Sequence, residues 1–116
     1  MIREFTLERP WNMDFRFMER PSARQVQMDL FYDYRNNVAL YPQWQKFLRE
    51  RHPDTIIFWG QNDIFFTPEG GEAYLRDLPN AEIHRLGSGH FAVEDCLEEI
   101  SNNIVHFYES RVAKYS

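Results

Sequence analysis

Residues 55–91 read T-I-I-F-W-G-Q-N-D-I-F-F-T-P-E-G-G-E-A-Y-L-R-D-L-P-N-A-E-I-H-R-L-G-S-G-H-F, an order of strand, helix and strand. Thr55-Ile56-Ile57-Phe58-Trp59 is a short apolar run without alternation, bounded by Pro53-Asp54 and Gly60. Such a run predicts a parallel strand covered on both faces. Thr67-Pro68 supplies an N-cap and a first-turn proline. Ala73, Tyr74 and Leu75 fill the helix that follows, and Leu78-Pro79-Asn80 closes it. Residues 81–86 form the second strand, with Ile83 and Leu86 among polar neighbours, as at a sheet edge. Asp63 follows the first strand and His90 the second. Both therefore stand at the carboxyl ends of consecutive strands, where open α/β sheets place their ligands.

Outward from this unit the pattern is helical. Over residues 94–111, Leu97, Ile100, Ile104, Phe107 and Tyr108 fall on one helical face. Glu94, Asp95, Glu98 and Glu99 crowd the first turns, the end of the dipole that favours anions. Upstream, Ser22-x-x-Gln25 has capping-box spacing and predicts a helix start. Val26, Leu30, Tyr34 and Val38 then make an apolar stripe, with Phe31 and Tyr41 beside it. Pro42 disfavours a helical Tyr41 and suits the first turn of another helix. That helix buries Trp44, Phe47 and Leu48 and ends at His52-Pro53. Residues 1–21 have no clean period. There Phe5, Leu7, Trp11, Met13, Phe15, Phe17 and Met18 alternate irregularly with charges, which predicts an irregular or short-helical segment.

The 116 residues hold one domain at most, and 43% hydrophobic residues is the composition of a chain that packs. Ten Phe, six Tyr and three Trp supply much of the buriable area. A net charge of −5 argues against a nucleic-acid partner. Cys96 is the sole cysteine, so no internal disulfide forms, and a reducing, cytoplasmic setting is expected. The first ten residues lack an apolar signal core, and no run approaches a membrane span, so no membrane partner is expected. His52, His84 and His106 have no metal-ligand spacing. Neither metal nor cofactor is expected.

The order helix, helix, strand, helix, strand, helix defines an α/β fold class with two parallel strands. Two strands are too few for the apolar surface present, because a strand buried on both faces needs strand neighbours and helices on each side. An uncovered edge along residues 55–59 would also invite aggregation. The chain is thus expected to be incomplete as an autonomous fold, part of a larger sheet or completed by a partner.

W-G-Q-N-D-I-F-F-T-P-E-G-G-E-A-Y, L-P-N-A-E-I-H-R-L and G-S-G-H-F-A-V-E-D resemble the C-terminal third of α/β-hydrolase-fold enzymes, in the branch of epoxide hydrolases and haloalkane dehalogenases. In that family an acid follows a late strand as G-x-x-D, matched by Gly60 and Asp63. The histidine follows the last strand as G-H-F, matched by Gly89, His90 and Phe91. Upstream, M-D-L-F-Y-D-Y-R-N-N-V-A-L-Y-P-Q-W resembles the end of the helical cap. The resemblance divides the chain into a cap-like segment, residues 1–41, and a C-terminal core portion, residues 42–116. It implies His90 as general base, with Asp63 fixing its tautomer and stabilising the imidazolium.

The family's nucleophile elbow, G-x-[SDC]-x-G, is absent from this sequence. Ser88 is only two residues from His90 on the same loop, and Cys96 lies in or at the start of the last helix; both read as structural. In the family's order the nucleophile lies upstream, so the chain alone is expected to be inactive. With it restored, the reaction class is hydrolysis of an ester, epoxide or carbon–halogen bond in a small apolar substrate. By the same resemblance Tyr32 and Tyr34 are candidate cap proton donors, although Tyr34 also lies on the apolar stripe, where packing is its ordinary job. Trp59, Phe65, Phe66 and Phe91 flank the two loops as candidate pocket residues, a role that competes with core packing. On this reading the chain is a truncated product, a split subunit joined by an N-terminal partner subunit, or a fragment of a longer chain; the alternative is a non-catalytic assembly or binding protein on the same scaffold, self-associating through the exposed sheet edge.

Overall fold

The computed structural model describes residues 10–115. Phe5 and Leu7, expected in an irregular segment, lie outside the described residues. Two compact units emerge, Met1–Tyr41 and Pro42–Ser116.

In the first unit, α1 spans Pro10–Met18 and α2 spans Ala23–Asp33. Ser22 occupies the cap position of α2 in a left-handed conformation (φ 65°) and makes no side-chain cap bond. Its hydroxyl donates instead to the Pro21 carbonyl, while Gln25 Nε2 donates to Asp29 Oδ1 at 2.8 Å. The expected capping box is therefore not formed; a cap serine reaches the first-turn amides from extended backbone, not from the left-handed region. The expected stripe is also uncovered, with Val26, Leu30, Tyr34 and Val38 all exposed by half or more. Periodicity names the face a helix would bury, but burial needs a partner opposite it.

Pro42 does not begin a new helix. The helix break falls at Tyr34, and α3 runs unbroken through Pro42 over Arg35–Arg51. Proline there leaves the Val38 carbonyl without its helical donor, a cost of about 3 kcal/mol in an ordinary helix interior. Among its predicted buried residues, Trp44 and Phe47 are exposed and Leu48 is half-buried. His52, with φ 44°, closes α3 by donating its N–H to the Leu48 carbonyl, the left-handed stop that commonly terminates helices.

The second unit is built on a two-stranded parallel sheet, β1 over Ile56–Gly60 and β2 over Glu82–Leu86, paired from Ile56–Glu82 to Gly60–Leu86. Side chains alternate between faces. Trp59 and Arg85 face α4, Pro68–Ala73: the Trp59 indole lies on Gly70 and Gly71, and Arg85 pairs with Glu72 at 2.8 Å. The opposite face carries the register pair Phe58 and His84, stacked at 5.2 Å, and Glu82, approached by Arg111. A 3-10 turn, Tyr74–Arg76, extends α4. Glu69, in the first turn of α4, has its carboxyl held below the ordinary value by its own N–H and then by the Thr67 hydroxyl.

The expected single helix over residues 94–111 is divided. A short α5, Ala92–Asp95, is separated from α6, Leu97–Phe107, by Cys96. A π-type turn, Tyr108–Val112, and a 3-10 turn, Ala113–Tyr115, follow. Among the described residues Leu78, Leu86, Ile100 and Phe107 are the buried apolar side chains, whereas Leu97, Ile104 and Tyr108 of the predicted face are about half exposed or more. β1, expected to be covered on both faces, is only half-buried from Ile56 to Trp59. No further strand lies beside either edge among the described residues.

Candidate active site

Two loops leave the carboxyl ends of the strands and are bonded to each other. The Gln61 N–H donates to the Leu86 carbonyl at 3.0 Å and the Asn62 N–H to the Ser88 carbonyl at 3.0 Å. These bonds continue the ladder beyond the sheet and set the loops in register. The acid and the histidine meet as a result. His90 Nδ1 and Asp63 Oδ2 are 2.9 Å apart.

The other Asp63 oxygen, Oδ1, accepts the backbone N–H groups of Phe65 at 2.8 Å and Phe66 at 3.0 Å. The Phe66 N–H does most to hold the Asp63 carboxyl below its ordinary value, with the His90 bond and the Phe65 N–H adding to it against some desolvation. The group is thus a carboxylate at neutral pH. A carboxylate only accepts hydrogen bonds, so Nδ1 is the donor of this pair, and Nε2 is the ring nitrogen that Asp63 leaves unengaged. Exposure differs within the pair: 9% of the Asp63 side chain is accessible against 38% of that of His90. The carboxylate is enclosed by its own turn, and the imidazole is open to solvent.

Three phenylalanines surround the imidazole. Phe66 stacks on it at 5.4 Å, while Phe65 and Phe91 meet it edge-on at 5.2 and 5.5 Å. All three remain more than half exposed. Trp59 is placed differently: its indole rests on Gly70 and Gly71, and Nε1 donates to the Phe66 carbonyl at 3.1 Å. It supports the loop that carries Phe66. Tyr32 and Tyr34 belong to the first unit. There the Arg35 guanidinium covers the Tyr32 ring at 3.5 Å, and the Tyr34 hydroxyl bonds that of Tyr41 at 2.7 Å.

Ser88 is buried, and its hydroxyl donates to Asp95 Oδ2 at 2.6 Å. In sequence, Asp95 counts only as a first-turn acid. Its spacing from Ser88 across an irregular loop carries no periodic signal. Among the described residues no group of three or more His, Cys, Asp and Glu could hold a metal ion, and no helix is long and apolar enough to cross a membrane.

Comparison with known proteins gives a consistent picture. The chain is 36% identical over 98 residues to an uncharacterized hydrolase of Saccharomyces cerevisiae, covering 84% of this chain and 34% of that protein. It is 28% identical over 74 residues to a 2-hydroxy-6-oxononadienedioate/2-hydroxy-6-oxononatrienedioate hydrolase of Pseudomonas putida, covering 63% and 26%. It is 32% identical over 54 residues to a cis-3-alkyl-4-alkyloxetan-2-one decarboxylase of Shewanella oneidensis, covering 46% and 17%. No family model matches the sequence, and no solved structure matches it significantly. The chain spans about a third or less of the length of these curated relatives. Strand-end motifs, parallel register and these relatives converge on one assignment: the chain is a relative of the α/β-hydrolases and fits a fragment of that fold.

Proposed function

We propose that this chain carries the acid and base of a nucleophile–acid–histidine triad in a hydrolase, with Asp63 as acid and His90 as base. The observation that carries this reading is the 2.9 Å bond from His90 Nδ1 to an Asp63 carboxylate whose second oxygen is fixed by two backbone N–H groups. The bond leaves Nε2 free to take a proton from a hydroxyl or thiol nucleophile, or from the water that resolves a covalent ester intermediate. Asp63 then stabilises the imidazolium that forms.

The nucleophile belongs to further polypeptide in this reading. Ser88, the hydroxyl nearest His90 in sequence, is buried and committed to Asp95. Incompleteness is supported by the half-buried β1, by strand edges with no further strand beside them among the described residues, and by the exposed Leu97, Ile104, Val105 and Tyr108 of the C-terminal helical region. Phe65, Phe66 and Phe91 suit a small apolar substrate whose scissile bond is an ester, an epoxide or a carbon–halogen bond. The hydrolase names of the relatives favour this over a non-catalytic scaffold.

The test assays the polypeptide from its source, at whatever length it occurs, on p-nitrophenyl acetate, styrene oxide and bromobutane. Turnover of at least one probe is expected, lost in His90→Ala and Asp63→Asn and kept in His106→Ala. The 116-residue chain alone is expected to show no His90-dependent turnover. Full turnover in His90→Ala by the source polypeptide would remove His90 from the chemistry.

A further inference from the structure

We infer that Asp95 is a positioning residue for His90, holding the histidine loop from both sides through Ser88 and Phe91. The Ser88 hydroxyl donates to Asp95 Oδ2 at 2.6 Å, and the Asp95 N–H donates to the Phe91 carbonyl at 3.1 Å. His90 lies between these two attachments. One residue of α5 thus anchors the backbone two positions before the imidazole and one position after it.

Ser88 is the junction of this arrangement. Its side chain is bound to α5, while its carbonyl accepts the Asn62 N–H from the acid loop at 3.0 Å. The Asp95–Ser88 bond therefore ties α5 to the loop that presents Asp63. Ser88 is 5% exposed, so its hydroxyl has little access to water, and losing Asp95 would leave it only the long 3.5 Å contact with the Gly89 carbonyl. The break at Cys96 gives the same result from the other side, since it lets α5 follow the histidine loop while α6 packs Ile100 and Phe107 into the core. Asp95 does not touch the reacting atoms in this scheme. It acts on the Asp63–His90 bond by restricting the loop.

The role matters for catalysis only if His90 is the base proposed above, so the experiment reads the bond itself and not turnover. In the polypeptide at its source length, the His90 Nδ1 proton is followed by ¹H–¹⁵N NMR, with His90→Ala to assign it. Asp95→Ala and Ser88→Ala are each expected to speed its solvent exchange roughly tenfold, the scale of one lost hydrogen bond, and to populate the Nε2–H tautomer. Asp95→Asn keeps a side-chain oxygen acceptor and is expected to restore wild-type exchange. Unchanged exchange in Asp95→Ala, alongside a lowered melting temperature, would reduce Asp95 to a fold-stabilising residue and overturn the inference. Should Asp95→Ala not fold, Ser88→Ala, which removes a single oxygen atom, decides in the same way. If source-length His90→Ala keeps its turnover while Asp95→Ala still loosens His90, the catalytic reading fails and the positioning role stands.

Discussion

Gly60 lies in direct backbone contact with Gly89. A Cβ on Gly60 would collide with the Gly89 carbonyl oxygen and stand 2.7 Å from that of Ser88. The requirement is one of space, because no glycine here has a positive φ. It explains why G-x-x-D after β1 and G-H-F after β2 act together: the last residue of β1 is the surface on which the histidine loop rests. Gly60→Ala must move backbone, not a flexible side chain. The expected cost is about 1–3 kcal/mol, the usual penalty of overpacking, read from the urea midpoint. The same variant is expected to lose the protected His90 Nδ1 proton, since the loop that moves is the one that presents it.

Asp63→Asn tests the tautomer. The new amide oxygen can still accept from the Phe65 and Phe66 N–H groups, which turns the amide nitrogen, a donor, toward His90 Nδ1. The imidazole is then expected to place its proton on Nε2, visible in ¹⁵N shifts. If His90 is the proposed base, the source-length polypeptide with the lone pair on the wrong nitrogen should lose roughly 10⁴-fold in turnover. Retention of the Nδ1–H tautomer in Asp63→Asn would contradict the assigned geometry.

What was legible in the sequence follows from which signals are local. The two strands, the Thr67-Pro68 start and the strand-end positions of Asp63 and His90 depend on short apolar runs bounded by breakers, and these are read directly. Val26, Leu30, Leu97 and Ile104 show the limit of periodicity. They sit at the right spacing and are nonetheless exposed, because spacing identifies a face and not what covers it. Pro42 misleads for a related reason: its missing donor penalises a helix without forbidding it, and α3 continues through it. The Ser88–Asp95 bond and the Gly60–Gly89 contact join irregular loops, where side-chain direction follows from the tertiary path. Neither has a one-dimensional signature beyond the residue types themselves.

Asp63 also fixes an acid limb of stability. Its carboxyl is held below its ordinary value of 3.8, first by the Phe66 N–H and then by His90 and the Phe65 N–H. As pH falls, the unfolded chain takes up this proton before the folded chain does, so stability decreases with falling pH in that window. The contribution is fully present above the ordinary value and is lost as pH drops through the lowered one. Wild type should therefore lose more of its urea midpoint between pH 6 and pH 3 than Asp63→Asn, which has no proton to take up there. Parallel pH profiles for the two proteins would show that the carboxylate is not held as described.

Gly70 and Gly71 make a paired test of how Trp59 supports the site. A Cβ on Gly71 would lie 2.7–2.9 Å from three atoms of the indole, whereas one on Gly70 would be 3.3 Å from the nearest. Trp59 is half-buried between β1 and α4, so its ring cannot swing aside without cost, and Nε1 is bound to the Phe66 carbonyl at 3.1 Å. Displacing the ring strains that bond and moves Phe66, whose N–H holds Asp63 and whose ring stacks on His90. Gly71→Ala is accordingly expected to cost about 1–3 kcal/mol and to shift the Phe66 amide and His90 ring resonances together. Gly70→Ala needs the indole edge to give by only a few tenths of an ångström, and alanine's better helix propensity offsets up to about 1 kcal/mol. Its net effect should stay within about 1 kcal/mol of wild type, with the His90 resonances unmoved. Equal losses in the two variants would mean that the glycines serve α4 itself and not the seating of Trp59 beneath the acid loop.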